Sequence, residues 1–333
     1  MALFRKLETQ LAFLQELFSR DEQWLILINA DPDALASAMA LKRIMSHRVK
    51  DVAISHVNVI SRPDNLAMIH YLRIPTKKLT PNLAAQYDRF ALVDSQPHHH
   101  PSLREFSYSL VMDHHPLVED EPVLADFKDI QPDYGSNCTM LMEYLYALNI
   151  RPGKLLATAL VYGIKSDTQN FERNFHDRDI RAFRYLSKRS NPLLLRKIMR
   201  SEYHLDWLSH FARAFCKIRL RGNSLFVFMG EIENPDILVV LADFFLRVHD
   251  VTWTVIGGIY DGVIVIIFRG DGVTRDMGKL AATLYGEYGS AGGHKGMARA
   301  ELPLENLQGK DPEDFVWSSL CRNKKCRDSK VKK

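Results

Sequence analysis

Residues 23 to 188 predict an α/β fold built on a parallel sheet, followed by a smaller mixed α/β domain. Three observations carry this reading. Short apolar runs alternate with helical patterns in the first half of the chain. The pattern breaks near Arg189 and resumes with a second set of strands and helices. Acidic residues stand just after several of the strand-like runs.

The elements follow in order. Residues 1–22 form an N-terminal helix, because Leu3, Phe4, Leu7, Leu11, Leu14, Leu17 and Phe18 recur at helical spacing. WLILIN (Trp24 to Asn29) has the length of a buried strand, and DPDALASAMALKRIMS then gives a helical face through Leu35, Met39 and Ile44. DVAISHVNVI (Asp51 to Ile60), RFALVD (Arg89 to Asp94) and YSLVMD (Tyr108 to Asp113) read as three further strands. SNCTMLMEYLYALN and GKLLATALVYGIKSD read as long helices. These elements define a domain over 23–188, and residues 189–212 read as a helical connector.

Beyond it, SLFVFMGEI, VTWTVIGGIYD and VIVIIFRG are strand-like, while PDILVVLADFFLR and TRDMGKLAATLYGEY are helix-like. Tyr260-Asp261-Gly262 marks a hairpin turn. The second domain is expected over 213–305, and 306–333 is read as a basic C-terminal tail. The tail reads as a solvated terminus, with a weak nucleic-acid contact as the alternative.

Composition narrows the function classes. The chain has 333 residues, 46% of them hydrophobic, which suits two ordinary cores. Its four cysteines, Cys138, Cys216, Cys321 and Cys326, are too few and scattered for a disulfide framework. Cys321 and Cys326 lack a matching pair for a zinc site. The N-terminus has charges inside its apolar pattern, unlike a signal peptide, and no apolar run has membrane-span length. A cytoplasmic protein with no membrane partner is expected, and a homodimer is left open. The net charge of +4 permits an anionic substrate without requiring one.

The chemistry sits at strand ends. Asp31 and Asp33 follow the first strand, Asp94 ends the third, and Asp113-His114-His115 ends the fourth. Asp167 closes a helix. In an open parallel sheet the strand C-termini share one edge, where ligands bind. Carboxylates gathered there repel one another unless a cation intervenes. Several Asp with a His suit Mn²⁺ or Mg²⁺. Singly, each piece has an ordinary explanation, Asp31 or Asp33 being an obvious helix cap.

In sequence order, DPDALASAMAL, LVDSQP, MDHHP and GIKSDT resemble the motifs of DHH-superfamily phosphoesterases. GSAGGHKGMARAEL resembles the Gly-Gly-His motif of the associated C-terminal domain. The likeness spans about residues 24 to 300, and the size is most similar to the oligoribonuclease/pAp-phosphatase branch, where pAp is 3′-phosphoadenosine 5′-phosphate.

That resemblance implies one or two metal ions. One would be held by Asp33, Asp94, His114 and Asp167, and another by Asp31 and Asp94, which bridges. The histidine expected at position 27 is Leu27, so the latter site is short of a ligand. Asn29 or one of His98, His99 and His100 is a substitute to consider, water being the default. His115 would serve the substrate phosphate as donor or general acid. Arg269, Gly292, Gly293 and His294 would bind substrate, with the active site in the cleft between the domains. The glycines (with Gly289) let backbone N–H groups approach an anion, and Tyr285 and Tyr288 would stack on bases or pack a helix face.

The resulting expectation is a metal-dependent phosphoesterase, an exonuclease-like hydrolase of short oligonucleotides or small phosphorylated nucleotides. Its alternatives are a phosphoanhydride hydrolase resembling pyrophosphatases and exopolyphosphatases, or a nucleotide-binding regulatory protein weakened in catalysis.

Overall fold

The computed structural model describes residues 4–172, 175–201, 203–307 and 309–322. The chain divides into two compact units, Met1–Tyr203 and His204–Lys333.

In the first unit the order is α1 (Glu8–Leu17), β1 (Gln23–Ile28), α2 (Pro32–Met45), β2 (Asp51–His56), α3 (Pro63–Leu72), β3 (Thr76–Lys78), α4 (Pro81–Ala84) and β4 (Arg89–Val93). Then come β5 (Tyr108–Asp113), β6 (Ala125–Ile130), α5 (Asn137–Ala147), α6 (Lys154–Asp167), α7 (Asp177–Ser187) and α8 (Pro192–Met199). The six strands form one sheet in the order β3-β2-β1-β4-β5-β6. Every pairing in it is parallel.

Strand alternation sends the side chains of β1 to both faces of the sheet. Trp24, Ile26 and Ile28 join a core with Leu35, Leu41, Leu141 and Leu160 of the helices. Leu25 and Leu27 pack on the other face with Leu92, Leu103 and Val111. Burial on both faces explains why β1 reads as a continuous apolar run. The strand order reverses between β1 and β4, which opens a crevice at their C-terminal ends.

The second strand is shorter than the sequence reading, ending at His56. Asn58 is instead committed to the neighbouring strand end, accepting from Ala30 N at 2.7 Å and donating to Ala30 O at 3.0 Å. Strands β3 and β6 were not foreseen, since TKK and ADFKDI carry charges at a sheet edge.

The second unit comprises α9 (Trp207–Cys216), β7 (Arg219–Arg221), β8 (Ser224–Glu231), α10 (Asp236–Leu246), β9 (Trp253–Tyr260) and β10 (Val263–Gly270). It continues with α11 (Met277–Tyr285), β11 (Ser290–Gly293), β12 (Met297–Pro303) and α12 (Pro312–Arg322). The mixed sheet runs β11-β12-β10-β9-β8-β7, with β8 and β9 parallel. One face packs Phe226, Ile264 and Phe268 against α11 and α12, and the other packs Val227, Ile256 and Ile267 against α9 and α10. Asp261 and Gly262, both with positive φ, make the two-residue hairpin between β9 and β10.

Two expectations change, and one open alternative is decided. The stretch read as one connector is shared, since α8 belongs to the first unit and α9 to the second. Pro312–Arg322 is not tail but α12, and Leu307, Phe315, Val316 and Leu320 are buried in the second core. The rest of that tail, with Cys326, lies outside the described residues. Tyr285 and Tyr288 pack inward. Tyr285 is fully buried and donates to Val316 O at 3.0 Å, and Tyr288 meets the Phe315 ring edge-on, so neither is placed to stack on a base.

Candidate metal centre

Asp31, Asp33, Asp94, His114 and Asp167 come from four elements around the β1/β4 crevice. Asp31 is the N-cap of α2, accepting from Ala34 N at 2.8 Å. Asp33, in the first turn of α2, is fully buried. Its oxygens accept from Asn137 N at 2.6 Å and Cys138 N at 2.8 Å, the first amides of α5. A carboxylate at a helix N-terminus is favourable, so α5 fixes Asp33 and lessens the cost of its burial.

Asp94 follows β4 with φ +58°, a left-handed conformation that Asp tolerates better than most residues. Its amide still donates to Met112 O at 2.9 Å, so the backbone turns sharply while tied to β5. Asp167 is the last residue of α6, where the helix dipole disfavours an anion. Gly163, one turn earlier, lets α6 come close. A Cβ there would lie 2.5 Å from Cys138 Sγ and 3.2 Å from both Cα and Oδ1 of Asp33.

These groups meet at His114. Its Nε2 lies 3.0 Å from Asp167 Oδ2, 3.4 Å from Asp94 Oδ1 and 3.8 Å from Asp33 Oδ2. Its Nδ1 is 3.0 Å from Tyr134 O, an arrangement that makes Nδ1 the donor and leaves Nε2 for the centre. Both His114 Nε2 and Asp94 Oδ1 are buried without a hydrogen-bond partner among the described residues. Buried polar atoms are normally satisfied, and orphans aimed at one point fit a cation that accepts their lone pairs.

Electrostatics agree. Burial, then the charge of Asp167, pushes Asp33 up to about 7. The same two causes push Asp31 up to about 6. Asp94 is raised well above the carboxylate range by burial and by Asp33 and Asp31. Burial by itself would lower His114, but Asp167, Asp94 and Asp33 overturn that and push it up to about 12. The crowded carboxylates thus demand positive charge, from protons or from a divalent ion.

Asp113 and Gln96 were not singled out as working residues. Asp113 is fully buried, accepting from Gln96 Nε2 at 2.8 Å on one oxygen. Its other oxygen lies 2.8 Å from His115 Nδ1. Burial lowers His115, and the Asp113 bond and charge more than offset it, leaving the imidazole raised. The signal available was the DHH tripeptide at the end of β5, whose Asp113 is the last residue of the strand and is buried.

Among the described residues, the groupings able to hold an ion are Asp33-His114-Asp167, Asp94-His114-His115 and His99-Asp113-His115. Asp31 is in none of them. Leu27 is fully buried in the apolar cluster. His99 Nδ1 accepts from Gln96 N at 3.1 Å and His100 Nδ1 from Ser102 N at 3.2 Å, so these two histidines each hold a local turn.

The DHH family, N-terminal domain, matches residues 24–164. The first unit carries the N-terminal domain of the DHH family. Outside that domain, an uncharacterized protein of Methanocaldococcus jannaschii extends the likeness. It is 32% identical over 278 residues, covering 83% of this chain and 57% of the relative. The chain therefore spans little more than half the length of that curated relative. The fold is also that of an exopolyphosphatase-related protein from Bacteroides fragilis, with TM-score 0.73, 16% identity, and coverage of 94% of this chain and 96% of that one. The exonuclease RecJ bound to manganese aligns with TM-score 0.50 and 15% identity, over 95% of this chain and 94% of that one. In the DHH domain the α/β architecture thus agrees with the sequence reading.

The remaining residues lie in the second unit. Arg269, near the end of β10, donates through Nε to Asp243 Oδ1 at 2.7 Å. Gly292 and Gly293 are in strand β11, not in a loop, and pair with Arg299 and Ala298. Gly293 has φ +147°, and a Cβ there would lie 2.4 Å from Met297 O, so the tight return into β12 needs glycine. A Cβ on Gly292 would meet nothing within 4 Å. His294 is exposed, and its carbonyl accepts from Gly278 N at 3.0 Å in the first turn of α11. Gly270 N donates to Gly296 O at 2.9 Å, which brings Arg269 and the Gly-Gly-His turn to the same end of this sheet.

Among the described residues no helix is long and apolar enough to cross a membrane.

Proposed function

We propose that the chain is a metal-dependent phosphoesterase hydrolysing phosphodiester or phosphomonoester bonds in short oligonucleotides or small phosphorylated nucleotides such as pAp. One observation carries the reading. Asp33, Asp94, His114 and Asp167 converge with two buried, unbonded lone-pair atoms, Asp94 Oδ1 and His114 Nε2. These four residues would hold the ion, with Asp31 beside them. Oxygen ligands with one imidazole fit Mn²⁺ or Mg²⁺. When bound, such an ion supplies Lewis acidity and lowers the pKa of water at the site.

The chain's own residues do the rest. Asp33 and Asp94 are held by α5 and by the turn after β4, so their positions are set before substrate arrives. The Tyr134 carbonyl orients His114. Asp113, itself fixed by Gln96, orients His115 and favours its protonated form. His115 Nε2 can then donate a proton to the leaving oxygen. Arg269, Gly292, Gly293 and His294 would bind the substrate's phosphate from the second unit. A nucleotide substrate and free cysteines suit a cytoplasmic protein.

The test is a hydrolysis screen with Mn²⁺ across pAp, di- to pentanucleotides, pyrophosphate and polyphosphate. Cleavage of pAp or oligonucleotides is expected. Turnover confined to pyrophosphate or polyphosphate would replace the reading with phosphoanhydride hydrolysis, and binding of nucleotides without turnover would leave a regulatory protein.

A further inference from the structure

The loop that leaves β2 carries a cation that the metal centre does not use. Arg62 donates through Nε to Asp64 Oδ1 at 3.2 Å and through Nη2 to Asp64 Oδ2 at 2.9 Å. Nη1 makes no hydrogen bond among the described residues. The Arg62 side chain is 54% exposed, while Asp64 is buried. Tyr162 Oη donates to Asp64 Oδ2 at 3.0 Å, so Asp64 is anchored to α6, the helix that ends at Asp167.

Position follows from topology. Strand β2 is parallel to β1 and beside it, so its following loop rises at the edge that carries Asp31 and Asp94. Asn58, in that loop, grips both backbone atoms of Ala30, the residue before Asp31. Burial by itself would lower the Arg62 guanidinium, but the charge and hydrogen bonds of Asp64, and then Tyr162 and Asp31, more than offset it and leave it raised.

A half-exposed ion pair contributes little stability. Holding a guanidinium by one edge does something else: it fixes the group in space and leaves its other edge presented. Such a fork matches a phosphate, and binding it costs little further side-chain ordering.

We infer that Arg62 is a phosphate anchor on the catalytic unit, taking a second phosphate of the substrate that is not the one cleaved. The inference deepens the phosphoesterase reading and rests on it for the place of the cleaved phosphate. The substrate class it names is a nucleotide with two phosphates separated by at least a sugar. That chemistry occurs in a nucleoside 3′,5′-bisphosphate and in a short 5′-phosphorylated oligonucleotide.

Steady-state kinetics with Mn²⁺ on pAp and on the dinucleotide pApA, for wild type and Arg62→Gln, separates the two sources. Arg62→Gln is expected to raise KM about tenfold or more on the true substrate, with a much smaller change in kcat. Arg62→Lys, which keeps a cation beside Asp64, should recover part of the loss and replaces the glutamine variant if that one does not fold. Calorimetry gives a readout free of turnover, titrating pAp and AMP with Ca²⁺ in place of Mn²⁺. Wild type should prefer pAp, and the variants should lose the preference while AMP binding moves far less. An equal loss for pAp and AMP, or no loss for either, overturns the anchor. If no substrate is hydrolysed, the phosphoesterase reading fails, and the calorimetric preference still decides whether Arg62 recognises a second phosphate.

Discussion

Gly163→Ala isolates the approach of α6 to the metal centre. On helix propensity alone the change would stabilise α6 by roughly 1 kcal/mol. The structure reverses that sign. The new Cβ would lie 2.5 Å from Cys138 Sγ, in a site with no exposure, and 3.2 Å from Cα and Oδ1 of Asp33. The thiol has little room to turn, because Sγ already contacts Ser37 Oγ at 3.7 Å and Asp33 O at 3.6 Å. Overpacking of a buried site costs about 1–3 kcal/mol. The net loss is then about 0–2 kcal/mol, small enough for the protein to fold. The site feels it more, since pushing Asp33 strains its bonds to Asn137 N and Cys138 N at 2.6 and 2.8 Å. Urea denaturation and Mn²⁺ calorimetry should show modest destabilisation and a clear loss of metal affinity. Adding Cys138→Ala removes the worst contact, so the pair should couple by about 0.5–3 kcal/mol in the stabilising direction. Gly163→Ala that is more stable than wild type and binds Mn²⁺ unchanged would refute the reasoning.

Asp94→Asn keeps a side chain that tolerates positive φ, so the fold should survive while Mn²⁺ affinity and most activity are lost; circular dichroism with calorimetry checks both. Mn²⁺ affinity should rise with pH between about 5 and 8. Asp33, raised to about 7, and His114, raised to about 12, hold protons in the ion-free centre that the metal must displace. Proton release measured in buffers of different ionisation enthalpy tests this, and pH-independent binding contradicts it. Leu27→His places an imidazole in the cluster of Leu25, Leu92 and Val111. It should cost about 2–4 kcal/mol in EDTA and tighten Mn²⁺ binding; unchanged metal affinity removes position 27 from the metal centre.

The sequence by itself determined the periodic elements and the order of the motif residues. Strand runs buried on both faces, such as WLILI (Trp24 to Ile28), are legible because burial leaves no polar position in them. Asp31, Asp33, Asp94 and His114 could be placed at one sheet edge because parallel strands bring their ends together. Edge strands β3 and β6 were not legible, since charges at a solvated edge erase the apolar signal. Helix α12 was hidden by the basic residues that follow it, although Phe315 and Leu320 are core residues. Only the tertiary structure decided which carboxylate does what. Asp31 and Asp33 stand two residues apart with the same side chain. One caps its own helix, and the other is buried under the first turn of α5, over 100 residues away in the chain. Asp113 likewise takes its place from Gln96, 17 residues away in the chain, which donates to it at 2.8 Å. Those roles depend on which distant backbone amides and carbonyls come within hydrogen-bond reach, and local sequence does not encode that.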